Sequence, residues 1–117
     1  MVVENESLEV STPFFEENGT IYWSNAKGIL HRINGPCLIV KLCNYEYYEW
    51  KINGIYHRVG GPAIISKYMD PGISVDSIRW FLDGKEYSSK EDYWDDLSEE
   101  DKMICIFSDD FWDYSFI

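Results

Sequence analysis

Residues 50–63, WKINGIYHRVGGPA, decide the fold, because residues 23–37, WSNAKGILHRINGPC, are a near-copy of them. The earlier copy carries one extra residue before its first glycine. A third copy at residues 80–87, WFLDGKEY, begins in the same way and then diverges, so that the tryptophans recur after 27 and 30 residues. A period of this length predicts a stack of similar supersecondary units.

The glycine in each copy marks a β-hairpin. Asn53-Gly54 and Asp83-Gly84 are preferred central pairs of a two-residue type I′ turn, because both turn positions require positive φ. The extra residue of the first copy predicts a three-residue loop over 26–28, with Gly28 in the left-handed conformation. Each copy is therefore expected to be one hairpin.

Counting outward from these turns pairs each tryptophan with a ring across the hairpin. The predicted pairs are Trp23 with His31, Trp50 with His57, and Trp80 with Tyr87. Alternation assigns one set of side chains to the core face: Tyr48, Trp50, Ile52, Ile55, His57 and Val59. The opposite face receives Glu49, Lys51, Tyr56 and Arg58. On that face we expect Arg58 opposite Glu49 and Arg32 opposite Tyr22, or alternatively a small basic stripe with Lys41 and Lys51.

Glycine–proline pairs end the first two hairpins. Proline cannot donate to a strand ladder, so Gly35-Pro36 and Gly61-Pro62 should each precede a new apolar strand, at 37–42 and 63–68. After Tyr87 the pattern becomes helical. The capping box from Ser88 to Glu91 predicts a helix through Tyr93, Trp94 and Leu97, and Ser98 to Asp101 predicts a second through Met103, Ile104 and Phe107.

These elements predict a mainly β fold, a twisted antiparallel meander of six to eight strands built from repeated hairpins, with a short C-terminal helical cap (α+β overall). We expect one domain over residues 1–117. It divides into an acidic N-terminal arm or strand (1–20), the hairpin repeats (21–87), and an acidic helical cap with an aromatic tail (88–117).

The His-Arg and Gly-Pro positions resemble a MORN-like family of Trp-x3-Gly-x2-His-Arg-x2-Gly-Pro-Ala repeats, found in proteins of phages, large DNA viruses and some bacteria. The resemblance covers residues 22–87 and implies a non-enzymatic hairpin array with no attached reaction or ligand. This chain departs from the pattern at Cys37, where alanine is usual, and in a third unit without His-Arg or Gly-Pro.

The net charge of −11 is concentrated at the two ends of the chain. Residues 86–117 alone carry eleven acids and two bases. Direct binding of nucleic acid or an anionic membrane is disfavoured, since both require a positive surface. The N-terminus shows neither the basic region nor the long apolar run of a secretory signal, which favours an intracellular location.

The two histidines and three cysteines are the candidate catalytic or metal-binding residues. His31 and His57 occupy equivalent repeat positions beside a tryptophan, which favours a structural role with the imidazole donating to backbone; metal ligation with Cys37 or Cys43 and His-based catalysis are the alternatives. The odd number of cysteines and the absence of CxxC spacing indicate buried thiols. We expect no cofactor, no metal and no enzymatic activity.

The acidic end of the chain is the candidate partner-binding region. Such a run is usually a solvated helix face, but carboxylates on a rigid surface can also occupy the basic channel of a nucleic-acid-binding protein. The aromatic tail either docks on the sheet, which we favour, or anchors a partner. The candidate residues are Glu91, Asp92, Asp95, Asp96, Glu99, Glu100, Asp109, Asp110, Phe111, Trp112, Asp113 and Tyr114.

Two functions follow from these observations. The first is a non-catalytic protein-interaction module, such as a phage or viral accessory factor that binds a host protein. The second is an acidic nucleic-acid mimic that inhibits a host defence or DNA-processing protein. In both cases the expected partner is a protein that is basic or binds nucleic acid; the sequence does not indicate the oligomeric state.

Overall fold

The computed structural model describes residues 10–70 and 72–113, and nine strands and three helices lie within them. The strands are β1 (Thr12–Phe15), β2 (Ile21–Ser24), β3 (Leu38–Leu42), β4 (Tyr45–Glu49), β5 (Lys51–Ile52), β6 (Ile55–Tyr56), β7 (Ile64–Asp70), β8 (Ile73–Leu82) and β9 (Lys85–Tyr87). Seven of them form one antiparallel sheet in the order β1-β2-β3-β4-β7-β8-β9, and β5 pairs with β6 in a separate two-stranded sheet. The predicted mainly β meander is confirmed.

The three predicted turns are also confirmed. Asn53 and Asp83 each adopt φ of 49°, and the glycine after each has φ of 82° or 84°, as a type I′ turn requires. Gly28 has φ of 79°. The hairpin registers follow from these turns, with Ile52 opposite Ile55 and Trp80 opposite Tyr87. In the first two copies the backbone N–H of the histidine donates to the carbonyl of the partner tryptophan.

The two glycine–proline pairs precede strands, as predicted. β3 begins two residues after Pro36, and β7 begins two residues after Pro62. The intervening residues, Cys37 and Ala63, are fully buried and donate their N–H groups to the neighbouring strand. The first two copies therefore share one backbone path from hairpin to sheet.

The core lies on both faces of the sheet, and the predicted faces are only partly correct. Ile65, Ile78 and Trp80 pack against the helices, whereas Ile64 and Phe81 pack with Ala63 on the other side. Tyr48, Trp50 and Val59 lie against the helical side as predicted. Ile55 is 52% exposed, however, and Glu49 is buried. Because β5 and β6 leave the large sheet after Glu49, alternation does not carry across Trp50.

The C-terminal region forms three short helices, α1 (Lys90–Asp95), α2 (Glu99–Ile106) and α3 (Asp109–Asp113). Ser98 caps α2 as predicted, since its hydroxyl accepts from the Asp101 N–H. The predicted cap of α1 is wrong by one residue: Ser89, not Ser88, accepts from the Asp92 N–H. The third helix was not predicted.

The face by which α2 packs differs from the prediction. Met103 and Ile104 are each 53% exposed and Phe107 is 81% exposed, although these residues were expected to contact the sheet. The helix instead approaches through Cys105, which is fully buried, and Ser108 just beyond it donates its hydroxyl to the Gly60 carbonyl at 2.5 Å. A small thiol permits the close backbone approach that this hydrogen bond requires.

The prediction of buried thiols is correct for Cys37 and Cys105 and wrong for Cys43, which is exposed. Docking of the aromatic tail is correct for Phe111, which is 3% exposed. Trp112 is 55% exposed, and Tyr114 lies outside the described residues.

Candidate functional site

The repeat motif forms a compact arrangement of tryptophan, arginine, glycine and proline. In the second unit the Arg58 guanidinium carbon lies 3.7 Å from the centre of the Trp50 ring, and one of its N–H groups donates to the Pro62 carbonyl at 3.0 Å. A Cβ added at Gly61 would approach this guanidinium to 2.7 Å. Stacking, the hydrogen bond and the missing side chain together explain why these residue types recur at this spacing.

The first unit repeats this geometry. Arg32 stacks on Trp23 at 3.8 Å and donates to the Pro36 carbonyl at 3.2 Å, and a Cβ at Gly35 would lie 2.9 Å from the guanidinium carbon. The prediction that Arg32 and Arg58 project away from the tryptophans, toward Tyr22 and Glu49, is therefore wrong. Strand pairing ends before each histidine, at Leu30 and at Tyr56, so strand alternation no longer determines the direction of the arginine.

The histidines join one repeat to the next. His31 Nδ1 accepts the Asn53 N–H at 2.8 Å, and His57 Nδ1 accepts the Asp83 N–H at 3.0 Å. Each bond ties the histidine of one unit to the turn of the following unit. These bonds are consistent with the predicted structural role; in both of them the backbone N–H donates and the imidazole Nδ1 accepts.

Backbone hydrogen bonds strengthen the same junctions. The Gly54 N–H donates to the Leu30 carbonyl at 2.7 Å, and the Gly84 N–H donates to the Tyr56 carbonyl at 2.8 Å. Arg32 likewise donates its N–H to the Lys51 carbonyl. The turn of each following hairpin is therefore hydrogen-bonded to the second strand of the hairpin before it.

In the third unit a residue of the helical cap contacts the tryptophan. Ser88 stands where the other units have arginine, and the Tyr93 ring lies 4.8 Å from the Trp80 ring, tilted by 48°. Its hydroxyl donates to the Arg58 carbonyl at 2.6 Å and accepts the Gly60 N–H at 3.2 Å. Burial raises the pKa of this phenol, which therefore stays protonated. Tyr93 is the residue that ends the repeat array.

Phe111 and Asp110 attach the cap to the second unit. Asp110 forms an ion pair with Arg58 at 2.5 Å, and the Phe111 ring lies 6.1 Å from Trp80 and 5.4 Å from Trp94. The sequence assigned both to the candidate partner-binding set. The structure buries Phe111, whereas the Asp110 side chain is 38% exposed and is paired with Arg58.

The other candidate carboxylates lie on the surface of the cap. The exposed ones are Glu91, Asp92, Asp95, Asp96, Glu99, Glu100, Asp109 and Asp113. Asp96 accepts from the Tyr87 hydroxyl and from Lys85, and these contacts lower the pKa of its carboxyl. The Asp92 backbone N–H donates to the Ser89 hydroxyl, which caps the N-terminus of α1.

Exposed apolar side chains lie among these carboxylates. On and just after α2 they are Met103, Ile104, Ile106 and Phe107, which are between 43% and 81% exposed. Trp112 lies at the rim of a shallow pocket of about 330 Å³ whose lining includes Trp94, Phe111 and Lys90. We call the eight exposed carboxylates together with these apolar residues and Trp112 the cap surface.

Two charged residues of structural importance were missed by the sequence reasoning. Lys90 is only 7% exposed, and its ammonium lies 4.0 Å from the centre of the Phe111 ring, so burial lowers its pKa. Glu49 is buried and accepts from the hydroxyls of Tyr47 and Tyr56, with Lys51 Nζ at 3.4 Å. The flanking tyrosines were the available signal for Glu49; no local pattern indicated the position of Lys90.

A groove runs between the first and second units. It has a volume of about 660 Å³ and is lined by Arg32, Ile33, Gly35, Trp50, Ile52 and His57, among others. His57 is half-buried there, and its Nδ1 lies 3.3 Å from the exposed Asp83 carboxylate.

Within residues 10–70 and 72–113, no group of three histidine, cysteine or acidic side chains is arranged to hold a metal ion. None of the helices in those ranges is long and apolar enough to cross a membrane. No family model, curated protein or solved structure matches the chain. The resemblance to MORN-like repeats therefore stays a prediction.

Proposed function

We propose that this protein is a non-catalytic interaction module that binds a protein partner through its cap surface. The observation that carries the proposal is the exposure of four apolar side chains on or beside α2, with Phe107 at 81%. Contiguous apolar side chains of this kind, rimmed by polar residues, mark protein-binding sites on small proteins.

The charge around these side chains defines the class of partner. Eight exposed carboxylates lie on the same helical cap, and the bases of the cap, Lys90 and Lys102, are buried or half-buried. A basic protein surface with an apolar centre is complementary to this arrangement, as on a nucleic-acid-binding protein. The resemblance of the repeats suggests a phage or viral accessory factor, whose partner is then a host protein.

A second candidate function, mimicry of nucleic acid, is favoured by the same carboxylates. In this case the acids alone would compete with phosphates for a basic channel, and the apolar side chains would contribute little. The two functions therefore differ in which residues matter and in how salt affects binding.

The test measures binding of candidate basic host proteins to the intact chain and to two cap variants. The first is Ile104→Ser with Phe107→Ser, which removes apolar contacts; the second is Glu99→Lys with Glu100→Lys, which reverses charge. Phe15→Ser, at another residue exposed by 74%, is the matched control on β1. We expect the apolar variant to weaken binding about tenfold or more and the control to have no effect.

Salt separates the two functions. An apolar contact should persist at about 0.5 M salt, whereas the attraction of a mimic is screened there. Binding abolished by salt and by charge reversal but unaffected by Ile104→Ser with Phe107→Ser would assign mimicry. Binding unaffected by both variants would overturn both proposals.

A further inference from the structure

The groove between the first and second units corresponds, one repeat earlier, to a site between the second and third units. The protein's own cap occupies that later site. The arginine, Arg32, corresponds to Arg58, and the groove wall formed by Trp50 and Ile52 corresponds to Trp80 and Leu82. At the second site an acidic–aromatic segment, Asp110 followed by Phe111, covers these residues. The first site has the corresponding arginine and tryptophan and borders an open groove; it differs in that the Arg58 guanidinium lies 3.7 Å from the Trp50 ring centre.

We propose that this groove binds an acidic–aromatic segment of a protein partner, with a carboxylate on Arg32 and an adjacent aromatic ring against Trp50. The template for the occupant is the chain itself, since the Asp110 carboxylate lies 2.5 Å from Arg58 and the Phe111 ring packs on Trp80. This site is separate from the cap surface and does not depend on the function proposed for it.

The charges at the groove favour a carboxylate. Arg32 stacks on Trp23 and uses one N–H for the Pro36 carbonyl, and within the described ranges no ion pair joins it to an acid. Its remaining N–H groups can donate to a carboxylate in the way that Arg58 does. Asp83 is the acid among the groove's lining residues, and its carboxylate lies 3.3 Å from His57 Nδ1.

A partner segment fits this groove better than the cap of a second copy. In each copy Phe111 is 3% exposed and Asp110 is bound to Arg58. Donating this segment to a neighbour would uncover the buried ring and break the ion pair. A segment from a different protein binds without that cost.

The test titrates the intact protein with a peptide of sequence SDDFWD, that of residues 108–113, and follows the tryptophan indole N–H resonances by NMR. A second peptide, SDNAWD, lacks the carboxylate and ring that correspond to Asp110 and Phe111. We expect the first peptide to shift the Trp23 and Trp50 resonances with millimolar or better affinity, and the second to bind about tenfold more weakly or not at all.

Variants locate the site. Arg32→Gln should weaken binding about tenfold, whereas Arg79→Gln, at an exposed arginine paired with Glu86, should leave it unchanged. Ile33→Asp is a second groove variant at a residue 53% exposed, where folding is not at risk, and its charge should repel the peptide. Thermal unfolding verifies that each variant is folded.

Three results would overturn the proposal. They are the absence of any Trp50 shift at millimolar peptide, shifts confined to Trp80 through displacement of the native cap, and binding unaffected by both Arg32→Gln and Ile33→Asp. A concentration-dependent dimer of the intact protein that Arg32→Gln abolishes would also overturn it, because the occupant would then be a second copy.

Discussion

The first and second repeat units have the same internal geometry and different surroundings. The distance from the guanidinium carbon to the centre of the tryptophan ring is 3.8 Å in the first unit and 3.7 Å in the second. Each arginine also donates to the carbonyl of the proline four residues later. Both arginines line the open groove, but Arg58 is paired with Asp110 of the cap, whereas Arg32 forms no ion pair within the described ranges. The comparison shows that the motif is complete without the cap, so the motif encodes the hairpin and its junction, and the cap adds stability to one end only.

The largest difference in stability between variants of the two units should appear when the contact between the cap and the third-unit tryptophan is removed. Tyr93→Ala should lower the free energy of unfolding by about 3–5 kcal/mol, because it deletes a fully buried ring between Trp80 and the second unit. Tyr22→Ala, at a half-buried ring stacked on Phe14 beside the first unit, should cost about 1–2 kcal/mol. Urea denaturation of both variants measures the two values.

The hydroxyl of Tyr93 is tested separately by Tyr93→Phe. This change keeps the ring and leaves the Gly60 N–H and the Arg58 carbonyl without their partner, at a cost of about 1–3 kcal/mol. Equal effects of Tyr93→Ala and Tyr22→Ala would contradict the view that the cap stabilises only one end of the array.

Alanine substitution of the glycine beside each arginine should lower the free energy of unfolding by different amounts in the two units. A Cβ at Gly61 meets the Arg58 guanidinium at 2.7 Å and the Asp110 side chain at 3.1 Å, whereas a Cβ at Gly35 meets only the Arg32 guanidinium, at 2.9 Å. Arg58 is held by Asp110 and cannot move away without breaking the ion pair. We expect Gly61→Ala to cost about 1–3 kcal/mol and Gly35→Ala less than about 1 kcal/mol.

The measurement for the glycine pair is chemical denaturation, with Asp110→Asn as the background that tests the reason. In that background Arg58 is released, so the cost of Gly61→Ala should fall toward that of Gly35→Ala. If the cost of Gly61→Ala is unchanged by Asp110→Asn, the restraint on Arg58 has another source.

Much of the fold follows from local sequence signals. The Asn-Gly and Asp-Gly pairs specify both turn type and register, because few residues tolerate positive φ at both positions. The two proline positions likewise mark where new strands begin. These features were predictable because the information lies within two to four residues of the place it determines.

The predictions that failed depend on contacts between distant residues. Alternation could not show that the chain leaves the sheet between Glu49 and Lys51, and apolar spacing could not show that α2 packs through Cys105. For the candidate site, the sequence identified the acidic run. It could not show that Asp110 pairs with Arg58, fifty-two residues earlier, while Glu99 stays exposed on the surface. The groove at Arg32 was not predicted for the same reason.

The smallest expected effect concerns a position that is fully buried in both units and carries a different residue in each. Cys37 occupies the place that Ala63 holds in the second unit, and both are fully buried. Cys37→Ala should cost about 1 kcal/mol at neutral pH, because it removes one buried sulfur.

Burial, reinforced by the Glu49 carboxylate, raises the pKa of the Cys37 thiol from 9.0 to about 11. Since the folded state holds this proton more tightly than the unfolded chain, its contribution is complete below pH 9.0 and is lost as the pH rises through about 11. Denaturation from pH 8 to about 11 should therefore show the wild type losing more stability than Cys37→Ala, with the two curves converging; parallel curves would show that the thiol does not titrate differently in the two states.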